Sequence, residues 1–151
     1  MDLRNVVKQA AQLLDVSFEE EERAFFLTVT VTETEDEEED DRTQLVRVEL
    51  DPEGEVVLVS TDVGPWSEDH DVGEVLRLMR DALFSRVYLS EATEDEVEQL
   101  VVESAQIAEH VDAELLASVI QEVAEVADEL ELMLFDSDEP GDPDEEDEDV
   151  G

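Results

Sequence analysis

Residues 43–62, TQLVRVELDPEGEVVLVSTD, decide the fold, because two β-rich segments flank a short turn in this stretch. Apolar side chains alternate with polar ones along residues 43–50, and residues 55–62 are dense in β-branched residues, as is typical of paired strands. Between them, residues 51–54, DPEG, place proline where a tight turn favours it and glycine at the closing position. The stretch therefore predicts two antiparallel strands joined by a turn.

The sequence before this strand pair predicts one helix and one further strand. Residues 2–14 carry apolar side chains at helical spacing, which favours an amphipathic helix. In residues 24–33, AFFLTVTVTE, the apolar residues from Phe25 onward alternate with threonines, so one face of this strand is expected to be buried. Phe26 falls on the threonine face and is therefore a candidate contact for a partner. The acidic run at 33–41 is expected to be a solvated loop.

The sequence after the strand pair alternates between helical and extended patterns. Asp71 and Glu74 have the spacing of a capping box, and apolar residues on one face predict a helix over residues 72–84. Residues 86–90, RVYLS, are expected to form a short strand. The periodicity of residues 93–109 fits a helix as well as a strand, so both alternatives remain open.

The last helix has more apolar surface than one sheet face needs. Asp112 is a good N-cap for it, and a stripe runs from Leu116 to Leu134. The additional apolar residues indicate either a deeply buried helix or a surface for a client or a second copy. The only tryptophan, Trp66, follows a proline in a loop, where it can cover the end of the sheet or anchor a partner. The candidate partner or dimer surface is therefore Phe26, Trp66, Leu115, Val126, Leu132, Met133 and Phe135.

Charge is the strongest compositional signal. The chain has 48 acids against 8 bases, a net charge of −40, and only one of the eight bases is a lysine. When the two acidic runs at 33–41 and 136–151 are set aside, 30 acids still face the same bases, so the folded body is itself acidic. Such self-repulsion opposes compactness in dilute buffer, but at about 1 M salt the Debye length is only about 3 Å. We therefore expect a halophilic protein from a salt-loaded cytoplasm.

The same charge bears on the choice of partners. An acidic surface repels nucleic acid and anionic membranes, so neither is expected as a partner. Two alternatives remain open: an ordinary acidic protein with disordered tails, and an acidic mimic of nucleic acid that occupies a basic protein surface. The second is less compatible with concentrated salt, because counterions weaken such binding.

Length and composition predict one folded domain over residues 1–135 and a disordered acidic tail over residues 136–151, where proline, glycine and acids dominate. The chain has no cysteine, which excludes disulfides and thiolate metal sites. The N-terminus lacks the pattern of a signal peptide, and no apolar stretch is long enough for a membrane span. A cytoplasmic protein is the expectation.

The sequence holds no pattern that points to catalysis. Phosphate-binding glycine loops, GxSxG and HExxH are all absent from the chain. His70 lies among acids in residues 68–71, EDHD, and this segment is either a weak divalent-cation site or a polar loop that ends in a helix cap. Consecutive residues rarely converge on one metal ion, so the cap is the favoured interpretation. We expect neither an enzyme nor a bound cofactor or metal.

The order of these elements resembles the type III secretion chaperone-like fold, which includes the YbjN family. The strand pair at 43–62 leads into Gly64-Pro65 and then an amphipathic helix ending at Leu83-Phe84; a long helix carries VDAELL at 111–116. The resemblance covers about residues 2–134. It implies an α+β fold of order αβββαββα, in which an antiparallel sheet packs against helices. It also implies a non-catalytic, chaperone-like or regulatory homodimer that binds an apolar segment of a client protein.

Overall fold

Helices and strands follow the sequence patterns over most of the chain. The computed structural model describes residues 2–32 and 41–135, so the predicted tail and all of the acidic run except Asp41 lie outside it. The elements are α1 (Leu3–Leu14), β1 (Phe18–Glu21), β2 (Ala24–Thr32), β3 (Asp41–Leu50), β4 (Val56–Pro65), α2 (Val72–Met79), β5 (Arg86–Leu89), β6 (Gln99–Ile107) and α3 (Ala113–Leu134).

The strands form one antiparallel sheet in the order β1-β2-β3-β4-β6-β5. The predicted pair is confirmed, with Leu50 opposite Val57 and a turn at residues 51–54. Gly54 adopts a φ of 72°, a conformation that glycine favours, and its N–H donates to the carbonyl of Asp51 at 2.9 Å. The carboxylate of Asp51 then accepts from the N–H of Glu55 at 2.8 Å, which closes the turn.

The fold class is confirmed, but the sheet has one strand more than the predicted order αβββαββα. The added strand, β1, has the sequence FEEE, and acids are uncommon in strands because they pack poorly on a half-buried surface. Its conformation depends on pairing with β2, where Phe18 lies opposite Leu27. Acidic side chains suit an edge strand, since they discourage pairing with another chain.

The ambiguous segment 93–109 is a strand where its apolar residues are concentrated. β6 pairs with β4 on one side and with β5 on the other, so its neighbours select the extended form. Before it, the Thr93 hydroxyl accepts from the N–H groups of Asp95 and Glu96 and forms a tight turn.

The helix predicted over 72–84 ends earlier, at Met79, because α3 captures the chain that follows it. The Glu122 carboxylate accepts from the N–H groups of Leu83 at 2.9 Å and Phe84 at 2.8 Å. In a continued helix those N–H groups would bond to carbonyls one turn earlier. A tertiary contact therefore stops the helix.

The core lies between one face of the sheet and the helices α1 and α3. Leu27, Val46, Val59 and Val102 project from the sheet into this core and are fully buried. α3 contributes Leu116, Ile120 and Leu130 from the predicted stripe, and its predicted cap is confirmed, because the N–H of Leu115 donates to the Asp112 carboxylate at 2.8 Å. Among the described helices, none combines the length and apolar character that a bilayer crossing requires.

Candidate interaction surfaces

The sheet face turned away from α1 and α3, here called the open sheet face, carries no helix from the described part of the chain. Strand alternation buries one side chain and exposes the next, so the two faces differ in solvent access. Leu45 is 58% exposed and Ile107 is 57% exposed on this face. The larger apolar side chains of the open sheet face are Phe26, Leu45, Val56, Leu58, Tyr88 and Ile107.

Ion pairs neutralise two of the acidic groups set among these apolar side chains, Glu49 and Glu103. Arg47 donates to Glu49 at 2.9 Å and lies 6.0 Å from the centre of the Phe26 ring. Arg86 donates to Glu103 and lies 5.9 Å from the centre of the Tyr88 ring. The open sheet face therefore has less excess negative charge than the chain as a whole, which suits contact with an apolar partner.

A second exposed surface belongs to α2 and the turn after it. Leu83 is 83% exposed, Leu76 62% and Val72 55%. Arg77 and Arg80 are also exposed and form no salt bridge within the described residues. We call these five side chains the α2 surface.

The local charge of this region differs from that of the whole chain. Residues 72–89 contain three arginines against two acids, Glu74 and Asp81, in a protein whose net charge is −40. This stretch is therefore close to neutral, and it repels an acidic group less than the acidic remainder of the chain does.

Three sets of contacts fix the position of α2 and of the turn after it. Val75 is buried in the core, and the Asp71 carboxylate caps the helix by accepting from the N–H of Gly73 at 2.9 Å. At the other end, Glu122 accepts from Leu83 and Phe84 and from the Ser85 hydroxyl at 2.7 Å. Burial acts to raise the pKa of Glu122, but these hydrogen bonds outweigh it and hold the pKa below its ordinary value.

Trp66 and Phe135 meet at the end of β4 on either side of His70. The His70 ring lies 4.9 Å from the Trp66 ring and 4.9 Å from the Phe135 ring, centre to centre. His70 Nδ1 accepts from the N–H of Ser67 at 3.1 Å, so the imidazole orders the loop before the predicted cap. A Cβ on Gly64 would lie 2.8 Å from Phe135, and only glycine gives this ring room. The two predicted surface residues therefore contact each other through His70.

The other predicted surface residues lie in different environments. Phe26 is half-buried on the open sheet face. Val126 is only 8% exposed, and Leu115 and Met133 are half-buried and pack against the core, so these three mainly hold α3 in place. Leu132 is half-buried.

The sequence patterns did not predict the exposure of several apolar side chains. The apolar face predicted for residues 72–84 consists of Val72, Val75, Leu76, Met79 and Leu83; of these only Val75 is buried, and Val72, Leu76 and Leu83 are exposed. Leu83 lies beyond the early end of α2, and Leu76 lies on the outer side of the helix; periodicity shows neither. The exposure of Leu45 could have been predicted from alternation, because Leu45 shares a face of β3 with polar residues and lies between the buried Gln44 and Val46.

A polar cluster crosses the interface between α3 and β3. Arg42 Nε donates to Asp128 at 2.6 Å, and Glu131 accepts from Gln44 at 3.1 Å. Burial raises the pKa of Glu131. Asp128 is fully buried and its second oxygen has no hydrogen bond in the described structure. Within residues 2–32 and 41–135 no three His, Cys, Asp or Glu side chains converge on a metal position.

Solved structures share this architecture. The structure of SycH, the Yersinia pestis type III secretion chaperone, with a fragment of YscM2 is 17% identical, with a TM-score of 0.52, and the match covers 83% of this chain and 97% of that one. YbjN from E. coli, a candidate transcription regulator, is 14% identical, with a TM-score of 0.54 and coverage of 90% and 91%.

The heterodimeric ExoU–SpcU complex of the Pseudomonas aeruginosa type III secretion system gives a third match. It is 15% identical, with a TM-score of 0.51 and coverage of 86% and 98%. No protein-family model matches the chain, and the search of curated proteins gives no match either. The strand order, the helix placement and these three likenesses agree, and this chain has the type III secretion chaperone-like fold shared with YbjN.

Proposed function

We propose that this chain is a non-catalytic protein-binding module, chaperone-like or regulatory, that holds an apolar segment of a client protein. The observation that carries the proposal is the open sheet face, where Leu45 and Ile107 are more than half exposed. Two of the structures with this fold contain a partner protein, a fragment of YscM2 in one and ExoU with SpcU in the other, which supports the same class of function.

The open sheet face suits an extended or helical apolar segment better than a small molecule. Phe26 and Leu45 lie towards β2 and β3, whereas Val56, Leu58 and Ile107 lie towards β4 and β6. Arg47 and Ser60 face each other between these two groups. A client segment with two apolar side chains separated by a polar one would match this spacing.

The α2 surface supports a homodimer as the working form. A two-fold interface places the same patch on both copies, so a patch must be complementary to itself. α2 and the two residues after it carry Glu74 and Asp81 together with Arg77 and Arg80, and two copies in antiparallel arrangement can pair these charges around Leu76. The exposed leucines would then be covered by their counterparts.

Concentrated salt in the cytoplasm is the proposed setting. The 8 bases cannot compensate the acids of the folded body, and salt screens the remaining repulsion. We expect the urea midpoint of unfolding to rise steadily between dilute buffer and about 3 M KCl, where the Debye length is shortest. A midpoint that stays constant over this range would contradict the proposed setting.

Three leucines of similar exposure allow the two surfaces to be tested separately. Leu13 on α1 and Leu45 on the open sheet face are each 58% exposed, and Leu76 on α2 is 62% exposed. Leu45→Gln should abolish co-purification of the partner that the wild-type chain retains from lysate in native salt. Leu76→Gln should convert the dimer to monomer in light scattering at about 3 M KCl.

Leu13→Gln is the matched control and should change neither measurement. Equal partner capture by the Leu45→Gln and Leu13→Gln chains would refute a client site on the open sheet face. A wild-type chain that is monomeric in concentrated salt would refute the homodimer.

A further inference from the structure

The α2 surface has an available occupant within its own chain. Arg77 and Arg80 project from it without a salt bridge in the described structure, although acids outnumber bases 48 to 8. Four arginines have described ion pairs, namely Arg4, Arg42, Arg47 and Arg86, whereas Arg23 has none within the described residues. Arg77 on α2 and Arg80 directly after it lie close together beside exposed leucines, and together they form a surface that can receive acidic groups from elsewhere.

Residues 136–151 carry such groups and follow directly on the described part of the chain. They contain 10 acids and no base. They continue from Phe135, whose ring contacts His70, and His70 lies two residues before the start of α2. Phe135, to which the segment is joined, therefore lies beside the N-terminal end of the α2 surface.

The distances that the segment must cover are short. α2 has eight residues, so it is about 12 Å long at a rise of 1.5 Å per residue. Sixteen residues can extend to about 50 Å, several times the length needed to pass both arginines. Covalent linkage gives such a segment an effective concentration in the millimolar range, which a second molecule reaches only at high protein concentration.

We propose that residues 136–151 of this chain occupy the α2 surface through Arg77 and Arg80 at low salt and leave it as salt rises. The inference rests on the proposed function, since it adds regulation to the surface assigned to the dimer. Charge attraction favours the bound segment when ions are few, and screening removes that attraction when they are many. Contacts between leucines respond in the opposite direction, because many salts strengthen apolar burial. Salt would then exchange an acidic segment for a second copy.

A nitroxide near the end of the full chain tests the contact. The sequence has no cysteine, so Val150→Cys provides a single labelling position. The expected result is selective loss of amide signal intensity over residues 72–83 at the lowest KCl concentration that preserves the folded spectrum. The intensity should return at about 3 M KCl, where charges are screened.

Matched variants of the labelled full chain identify the groups responsible. Arg77→Gln with Arg80→Gln should abolish the selective loss. Lys8→Gln with Arg23→Gln removes the same charge from two other exposed residues and should leave the loss in place. In a chain whose tail acids are replaced by Asn and Gln, the low-salt dimer should tighten several-fold.

Three results would overturn the inference: no selective loss over residues 72–83, a loss unchanged by the Arg77 and Arg80 variant, or the same loss on an isotope-labelled copy mixed with a separate nitroxide-labelled copy. The last result would assign the contact to a second molecule. The homodimer is tested independently, because Leu76→Gln is measured at high salt, where residues 136–151 are expected to have left the α2 surface. A tail contact without any dimer would refute the dimer alone, and a dimer without the tail contact would refute this inference alone.

Discussion

The two faces of the sheet are built by the same six strands but have different surroundings. On the covered face, Leu27 and Val59 are fully buried beneath α1 and α3. On the open sheet face, Leu45 and Ile107 remain more than half exposed, among threonines and paired charges. Apolar side chains therefore have two functions in one sheet: those on the covered face stabilise the fold, and those on the open sheet face are available to a partner.

The largest contrast is expected between two arginines of β3. Arg42 projects to the covered face and pairs with Asp128, whose side chain is 1% exposed. Arg42→Gln leaves a buried carboxylate without its charge partner and should lower the free energy of unfolding by about 3–5 kcal/mol. Arg47 on the open sheet face is 50% exposed, and Arg47→Gln should cost less than about 1 kcal/mol.

Urea unfolding at constant KCl measures both values. If the two substitutions cost the same, the ion pair on the covered face is not a stabilising part of the core.

A matched pair of leucines comes next in expected size. Leu27 on β2 is fully buried, and Leu27→Ala should cost about 2–5 kcal/mol through lost burial and a residual cavity. Leu45 on the neighbouring strand is 58% exposed, and Leu45→Ala should change stability by no more than about 0.5 kcal/mol. A large loss for Leu45→Ala would show that the open sheet face is covered by another part of the protein in solution.

A smaller effect is expected where α3 holds the turn after α2. Glu122→Gln removes a charged acceptor that binds three groups of residues 83–85, and it should cost about 1–3 kcal/mol. Glu125, one turn further along α3, is exposed and accepts only from Gln121 among its described hydrogen bonds. Glu125→Gln should therefore change stability by no more than about 0.5 kcal/mol. Equal effects would show that Glu122 does not anchor this turn.

The pH dependence of unfolding should separate Glu122 from Glu131. The folded pKa of Glu122 is below its ordinary value of 4.5, so its contribution is present above that pH and is lost as pH falls through the folded pKa. Glu122→Gln should remove this acid-sensitive part of the stability curve. The folded pKa of Glu131 is raised by burial, so its contribution is present at low pH and is lost as pH rises.

Compared with the wild-type chain, Glu131→Gln should therefore become more stabilising as pH rises through the folded pKa of Glu131. Free energies of unfolding, measured at several pH values in constant salt, check both signs. If stability depends on pH with the same slope in the wild-type and Glu122→Gln chains, the prediction for Glu122 is wrong. If the stability difference between the wild-type and Glu131→Gln chains does not grow with pH, the prediction for Glu131 is wrong.

Local sequence patterns predicted the elements whose hydrogen bonds form between residues close in sequence. The turn at residues 51–54 and the caps at Asp71 and Asp112 depend on side chains within a few residues, so their signals are present in the sequence. β1 and β6 depend on partner strands, and for them the local signal was absent or ambiguous. The candidate surfaces divide in the same way: Phe26 was predicted from alternation, whereas exposure of Leu76 and Leu83 was not.

The sequence by itself determined the α+β class, the covered face of β2 and β3, and an acidic surface that ordinary ionic strength leaves strongly self-repelling. Only the tertiary structure decided which side of α2 is exposed, where α2 ends, and that Trp66 and Phe135 meet through His70. The reason is physical: alternation, caps and net charge are properties of neighbouring residues. Burial of a given helix face depends on groups such as Glu122, which lies 37 to 39 residues from the N–H and hydroxyl groups that it binds.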